Sequence, residues 1–327
     1  MADAIAVDDW SADGVRLEDV INALTILRDQ SSERNTARTA VMTLIAVAPG
    51  DEQAYRATNA LRALGGHHPA RILILRPYPE QVADLDARAT LYAMQLDADH
   101  RVTFEEVALT VRGQAAHHLD SLVEAFTLSD LPIAVWYVDA IPEPGDPLLD
   151  VATAVLLDSR DAGGDLRMRS LLELTRRRTV VDLSWIRLGP WRELLAGLFE
   201  PLPNRPWLTQ IDSAEVTGKI GPRRLLGGWL CSRLAIRPET VTLTDSRHVE
   251  MRLHGTRNGD QALFAVERAD IRRTVAAAAD GSGVTELHLS ASLAEDPLRT
   301  ALSTALTRLR PDPIWESALS AASLLPA

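Results

Sequence analysis

Apolar positions recur along the chain with two periods, and the switches between them lay out its elements. A polar lead-in precedes residues 15–28, where Leu17, Val20, Ile21, Leu24 and Leu27 fall at helical spacing. Residues 39–47 are a largely apolar run that reads as a buried strand. Gly50-Asp51 then offers the start of a helix over 52–64, which Gly65-Gly66 stops. After His67-His68-Pro69 comes a short strand at 71–75, and strand–helix–strand in that order marks an α/β layer. Residues 87–96 and 102–111 alternate apolar and polar positions, as antiparallel strands with one wet face do. A helix is expected over 114–127, with Leu119, Leu122, Val123 and Phe126 inward. A central strand at 133–138, a loop at 141–147, a short strand at 153–157 and a helix at 166–177 follow.

The chain then reaches a corner at residues 179–195. Val181, Leu183 and Trp185 share one face of an expected strand over 179–185, with Val180, Asp182 and Ser184 on the other. Gly189-Pro190 ends the strand. Pro190 suits the first turn of a helix over 191–199, because its missing N–H has no partner there anyway. Beyond Pro201, Pro203 and Pro206 the pattern predicts strands at 211–216, 240–244, 249–254, 263–267 and 287–289. Helices are predicted at 223–234, 298–309 and 314–325. The expectation is an α/β fold with an α+β tendency, in two domains that each carry a mixed sheet with packed helices. They span residues 1–200 and 207–327, joined by a proline-rich linker at 201–206.

Composition narrows the function. At 327 residues, with 46% hydrophobic and 24% charged residues, each half can bury its own core. Acids outnumber bases 45 to 34, a net charge of -11, which argues against nucleic-acid and anionic-membrane partners. The acidic start has no basic flank or apolar core, so no signal peptide is expected, and no apolar run reaches the ~20 residues of a membrane span. A cytoplasmic protein is the expectation. The single cysteine, Cys231, excludes an internal disulfide and argues against a cysteine metal site.

No dinucleotide fingerprint, P-loop, H-E-x-x-H or G-x-S-x-G is present, and no cofactor, metal or catalytic residue is expected. Gly218-Lys219 lacks the upstream glycine of a P-loop. The pairs His67-His68 and His117-His118 have no partner at helical spacing, so His67 and His68 read as a helix C-cap and His118 as a half-exposed helix residue. Arg176-Arg177-Arg178 reads as a solvated basic face at a helix end, and Gly221-Pro222-Arg223-Arg224 as a helix start able to hold an anion. Trp136, Trp185, Trp191 and Trp229 are either core or the anchors of a partner surface. Asp182 and Arg187 can pair across the corner.

Several blocks together resemble the OpcA family of glucose-6-phosphate dehydrogenase assembly proteins. They are His68-Pro69-Ala70-Arg71-Ile72, Leu109-Thr110-Val111-Arg112-Gly113, and Ser129-Asp130-Leu131-Pro132 running into Val135-Trp136-Tyr137. Val181-Asp182-Leu183-Ser184-Trp185, with Arg187-Leu188 and Pro190-Trp191-Arg192-Glu193-Leu194, and then Gly228-Trp229-Leu230-Cys231-Ser232-Arg233-Leu234, complete the set. The resemblance implies a non-catalytic protein that binds glucose-6-phosphate dehydrogenase and promotes its active oligomer. Some relatives carry several cysteines under thioredoxin control; here Ala70 precedes Arg71 and only Cys231 remains, so no internal thiol switch is expected. The expected docking surface is Trp136, Tyr137, Asp182, Trp185, Arg187, Trp191 and Arg192. The alternative is a sugar-phosphate sensor or enzyme with Arg71, Arg112, Arg187 and Arg223 as phosphate ligands, since the planar guanidinium makes paired bonds to phosphate.

Overall fold

A computed structural model describes residues 5–32, 37–38, 40–64, 70–95, 101–127, 130–161, 165–279 and 284–326. His67, His68 and Ser129 lie outside the described residues. The chain forms two compact α/β units. Unit 1 holds Met1–Leu157, Arg178–Val181 and Leu302–Arg310; unit 2 holds Asp158–Arg177, Asp182–Ala301 and Pro311–Ala327.

Unit 1 is built from β1 (Ile5–Ala12), α1 (Leu17–Ser32), β2 (Ala37–Arg38), β3 (Met42–Val47), α2 (Asp51–Leu64), β4 (Ala70–Tyr78), β5 (Asp84–Gln95) and β6 (Arg101–Arg112). Then come α3 (Leu119–Glu124), β7 (Ile133–Tyr137), α4 (Leu148–Val151), β8 (Ala154–Leu157) and β9 (Thr179–Asp182). The sheet order is β1-β5-β6-β4-β3-β7-β8-β9, with β2 paired to β6. Strands β6, β4, β3, β7 and β8 run parallel, and β5 is antiparallel to both β6 and β1. All six residues of β3 are buried, as a strand covered on both faces requires. Trp136 and Tyr137 close β7 and are 2% and 3% exposed.

Unit 2 carries α5 (Asp165–Thr175), α6 (Leu183–Arg187), α7 (Gly189–Leu198), β10 (Ile211–Gly218), α8 (Ile220–Leu234), β11 (Val241–Asp245), β12 (Glu250–Arg257), β13 (Asp260–Asp270), β14 (Arg273–Ala279) and β15 (Leu287–Ser292). It also holds the first residues of α9 (Pro297–Thr307), which passes into unit 1 at Leu302, and α10 (Pro313–Ala322). Its sheet runs β11-β10-β12-β13-β14-β15, parallel between β10 and β11 and antiparallel elsewhere. Helix α7 packs on β13, β14 and β15, and α8 on β10, β11 and α10.

Four features differ from the sequence reading. The proline segment is not a linker between compact units but part of unit 2. Buried Asn204 donates to Leu198 O at 2.8 Å and accepts from Thr285 N at 2.7 Å, tying the segment down. The helix expected over 114–127 breaks at His118, whose backbone (φ -127°, ψ 47°) is not helical; a 3-10 turn at Gly113–His117 precedes α3. Strand β9 stops at Asp182, and residues 183–187 are helical. Strands β1 and β14 are additional. The alanine run that ends β14, Ala276–Ala279, carries little strand propensity of its own and is held by pairing on both sides.

Candidate functional site

The corner turns on one carboxylate. Asp182 caps α6, accepting from Ser184 N at 2.9 Å, and this cap converts Leu183–Arg187 from the expected strand to a helix. The same buried side chain accepts from Ser159 N at 3.1 Å, Ser159 Oγ at 2.6 Å and Trp315 Nε1 at 3.3 Å. Burial raises its pKa to about 6 against these donors, and the Asp158 charge adds to the rise.

Asp312 does similar work at the next helix. It caps α10 through Ile314 N at 2.9 Å and Trp315 N at 3.1 Å, and accepts from Trp185 Nε1 at 2.8 Å. Arg192 stacks over the Trp185 ring at 3.5 Å and donates to Trp185 O at 3.1 Å. Burial lowers the Arg192 guanidinium to about 10, opposed by Asp312 and Glu193. Trp191 donates its indole N–H to Val249 O at 2.8 Å. Trp185 and Trp191 are 3% and 7% exposed.

Arg187 does not pair with Asp182 but with Asp158, at 2.6 Å, and Ser184 Oγ donates to the same carboxylate at 2.6 Å. Burial works to raise the Asp158 carboxyl, but the Arg187 charge and the bonds from Arg187, Ser184 and Arg160 N outweigh it and hold it below its ordinary value. Of the expected docking residues, Asp182, Trp185, Arg187, Trp191 and Arg192 therefore come together in unit 2, and Trp136 and Tyr137 belong to the core of unit 1. Burial, with Asp146 alongside, raises the Tyr137 phenol.

Each of the four arginines of the phosphate reading already has partners within its own unit. In unit 1, Arg71 bonds Glu105 at 3.1 Å and Phe126 O at 2.8 Å; Arg112 bonds Asp86 at 2.7 Å and Gln81 at 3.0 Å. In unit 2, Arg187 has Asp158, and Arg223 bonds Asp245 at 2.7 Å and Gly218 O at 3.0 Å. Buried Arg224 donates to Leu325 O and Pro326 O, each at 3.0 Å, and so satisfies carbonyls of the segment that follows α10. The cations that sequence reading missed are Arg160, Arg247 and Arg268. With Arg187, Lys219 and Trp191 they line a unit 2 cavity of about 310 Å³.

His117 and His118 are exposed. Cys231 is buried, and burial raises its thiol to about 11. Among the described residues no three His, Cys, Asp or Glu side chains gather to hold a metal ion, and no helix is long and apolar enough to cross a membrane.

Two domain families match the chain. The glucose-6-phosphate dehydrogenase subunit N-terminal domain matches residues 61–175 and the corresponding C-terminal domain residues 178–319. A putative OxPP cycle protein OpcA of Synechococcus elongatus is 28% identical over 217 residues, 62% of this chain and 48% of that protein. The protein of the same name from Nostoc punctiforme is 25% identical over 221 residues, 62% of this chain and 47% of that one. The chain thus spans about half the length of these curated relatives. Among solved structures, a 3-ketoreductase from Actinomadura kijaniata gives a TM-score of 0.46 at 12% identity, covering 86% of this chain and 95% of that one. Glucose-6-phosphate 1-dehydrogenase from Mycobacterium avium gives 0.45 at 11% identity, covering 85% and 90%. Likeness at that level does not extend to function. The two domain matches follow one another in order over most of the chain and include every residue of the corner, and on them the chain belongs to the OpcA family of glucose-6-phosphate dehydrogenase assembly proteins.

Proposed function

We propose that the chain is a non-catalytic assembly factor that binds glucose-6-phosphate dehydrogenase in the cytoplasm and favours its active oligomer. The observation that carries this reading is the pair of domain-family matches at residues 61–175 and 178–319. A partner shifts an oligomer equilibrium only through its different affinity for the two states, so the chain must bind the competent oligomer more tightly than the less active form.

The buried, hydrogen-bonded corner supports a structural part for Asp182, Trp185 and Trp191 beneath the docking surface. Of the expected docking residues at the corner, Arg187 and Arg192, both half-buried, have surface to offer the dehydrogenase. Trp136 and Tyr137 contribute through the stability of unit 1. Size-exclusion chromatography with light scattering on a mixture of the two proteins tests the reading. A species heavier than either alone supports it, and independent elution at micromolar concentration counts against it.

A further inference from the structure

The unit 2 cavity has a wall chemistry that neither the assembly role nor the corner explains. Arg160, Arg187, Lys219, Arg247 and Arg268 line it and, among the described residues, no Asp or Glu does, in a chain where acids outnumber bases 45 to 34. Arg187 is neutralised by Asp158 at 2.6 Å, and Arg268 donates to the backbone carbonyls of Asp270 and Ile271 at 3.0 and 2.7 Å. The exposed side chains of Arg160, Lys219 and Arg247 have no hydrogen-bond or ion-pair partner among the described residues. Like charges gathered without counterions raise the free energy of the apo protein and favour an incoming anion. Lys219 also precedes α8, a 15-residue helix whose first turn no side chain caps.

The rest of the wall is apolar. Trp191, Leu188, Val249 and Leu293 line it, and Ile271, 82% exposed, stands at its rim. The neutral hydroxyls are those of Ser184 and Thr300, and both are already engaged, Ser184 with Asp158. A simple sugar phosphate would leave the apolar wall unused and lay most of its hydroxyls there without partners, which is costly, whereas a nucleotide offers that wall a base and carries only the hydroxyls of its ribose. A phosphate ester with a planar, weakly polar body matches both halves of the wall. The volume of about 310 Å³ lies at the lower end of the roughly 300–1,000 Å³ typical of small-molecule sites.

We propose that this cavity binds a nucleotide, its phosphates held by Arg160, Lys219, Arg247 and Arg268 and its base laid against the apolar wall. The inference is independent of the assembly reading and fails or stands without it. Isothermal titration of the full chain with ADP, pyrophosphate and adenosine tests it. ADP is expected to bind one to one with a submillimolar Kd that weakens as salt rises, pyrophosphate at least tenfold more weakly, and adenosine without detectable heat. The double variant Lys219→Ala/Arg247→Ala is expected to lose at least tenfold in ADP affinity with its melting temperature unchanged or slightly raised, since neither side chain has a partner to lose. No ADP binding at millimolar concentration, or equal binding by the variant, overturns the proposal. Pyrophosphate binding as tightly as ADP overturns the part given to the apolar wall. Loss of dehydrogenase binding in the variant, with no ADP heat in the parent, overturns the nucleotide in favour of an acidic protein segment.

Discussion

Ser159 is held at two points by Asp182: its hydroxyl donates to Oδ2 at 2.6 Å and its backbone N–H to Oδ1 at 3.1 Å. This clasp sets where α8 begins, because Gly221 packs against the same residue. A Cβ built on Gly221 would stand 1.8 Å from Ser159 O, so the helix starts at this height only with glycine in that place.

The buried carboxylate gives stability a definite pH dependence. Its pKa is about 6 in the fold against an ordinary 3.8, so its favourable contribution is full below 3.8 and is lost as pH rises through 6. Relative to Asp182→Asn, the parent should lose about 2 kcal/mol between pH 4 and pH 7, at ~1.4 kcal/mol per unit. The opposite drift from Asp158 is present in both proteins and differs between them only by its coupling to the Asp182 charge. Urea unfolding of the pair at the two pH values measures it, and a difference that does not move with pH contradicts the raised pKa.

Asp312→Ala should destabilise unit 2 by about 2–3 kcal/mol. It removes the cap of α10, worth ~1 kcal/mol, and leaves the buried Trp185 indole N–H without an acceptor, worth a further ~1–2 kcal/mol. The reading is a lower denaturant midpoint at an unchanged slope.

Gly228→Ala should cost about 3 kcal/mol or more, or abolish soluble expression. The added Cβ would lie 2.2 Å from Ala318 O and 2.5 Å from Ala322 N, backbone atoms of α10 that cannot step aside without separating the two helices. Thermal unfolding against the parent decides it; a change within a degree would mean that α8 and α10 are less closely packed than described.

Arg187→Ala strands Asp158, whose side chain is 17% exposed, and should cost about 3 kcal/mol. Adding Asp158→Asn should recover at least half of that. A double-mutant cycle with no coupling would remove the pair from the framework of the corner.

The parallel layer of unit 1 was legible because strands buried on both faces are continuous apolar runs, as in β3, β4 and β7. Strand β14 was hidden because Ala276–Ala279 has no β-preference; its neighbours in the sheet impose the strand. The corner misled for a related reason. Residues 180–185 are all buried, so alternation carries no information there, and the decisive signal is Asp182 two residues ahead of Ser184, a helix cap. The tryptophans of the corner were recognisable as important, but their placement depends on partners far along the chain, Asp312 for Trp185 and Val249 for Trp191. Tertiary partners also separate the cations. Arg71, Arg112, Arg187 and Arg223 meet carboxylates, while among the described residues Lys219 and Arg247 do not.

Titration of the chain into purified glucose-6-phosphate dehydrogenase from the same organism, following activity and oligomer mass by light scattering, bears most directly on the assembly role. The account predicts a saturable rise in activity that tracks a new, heavier complex, and a complex that is weakened at least tenfold by Arg192→Ala with unit 2 still folded. With both proteins folded, no complex and no change in activity would contradict it.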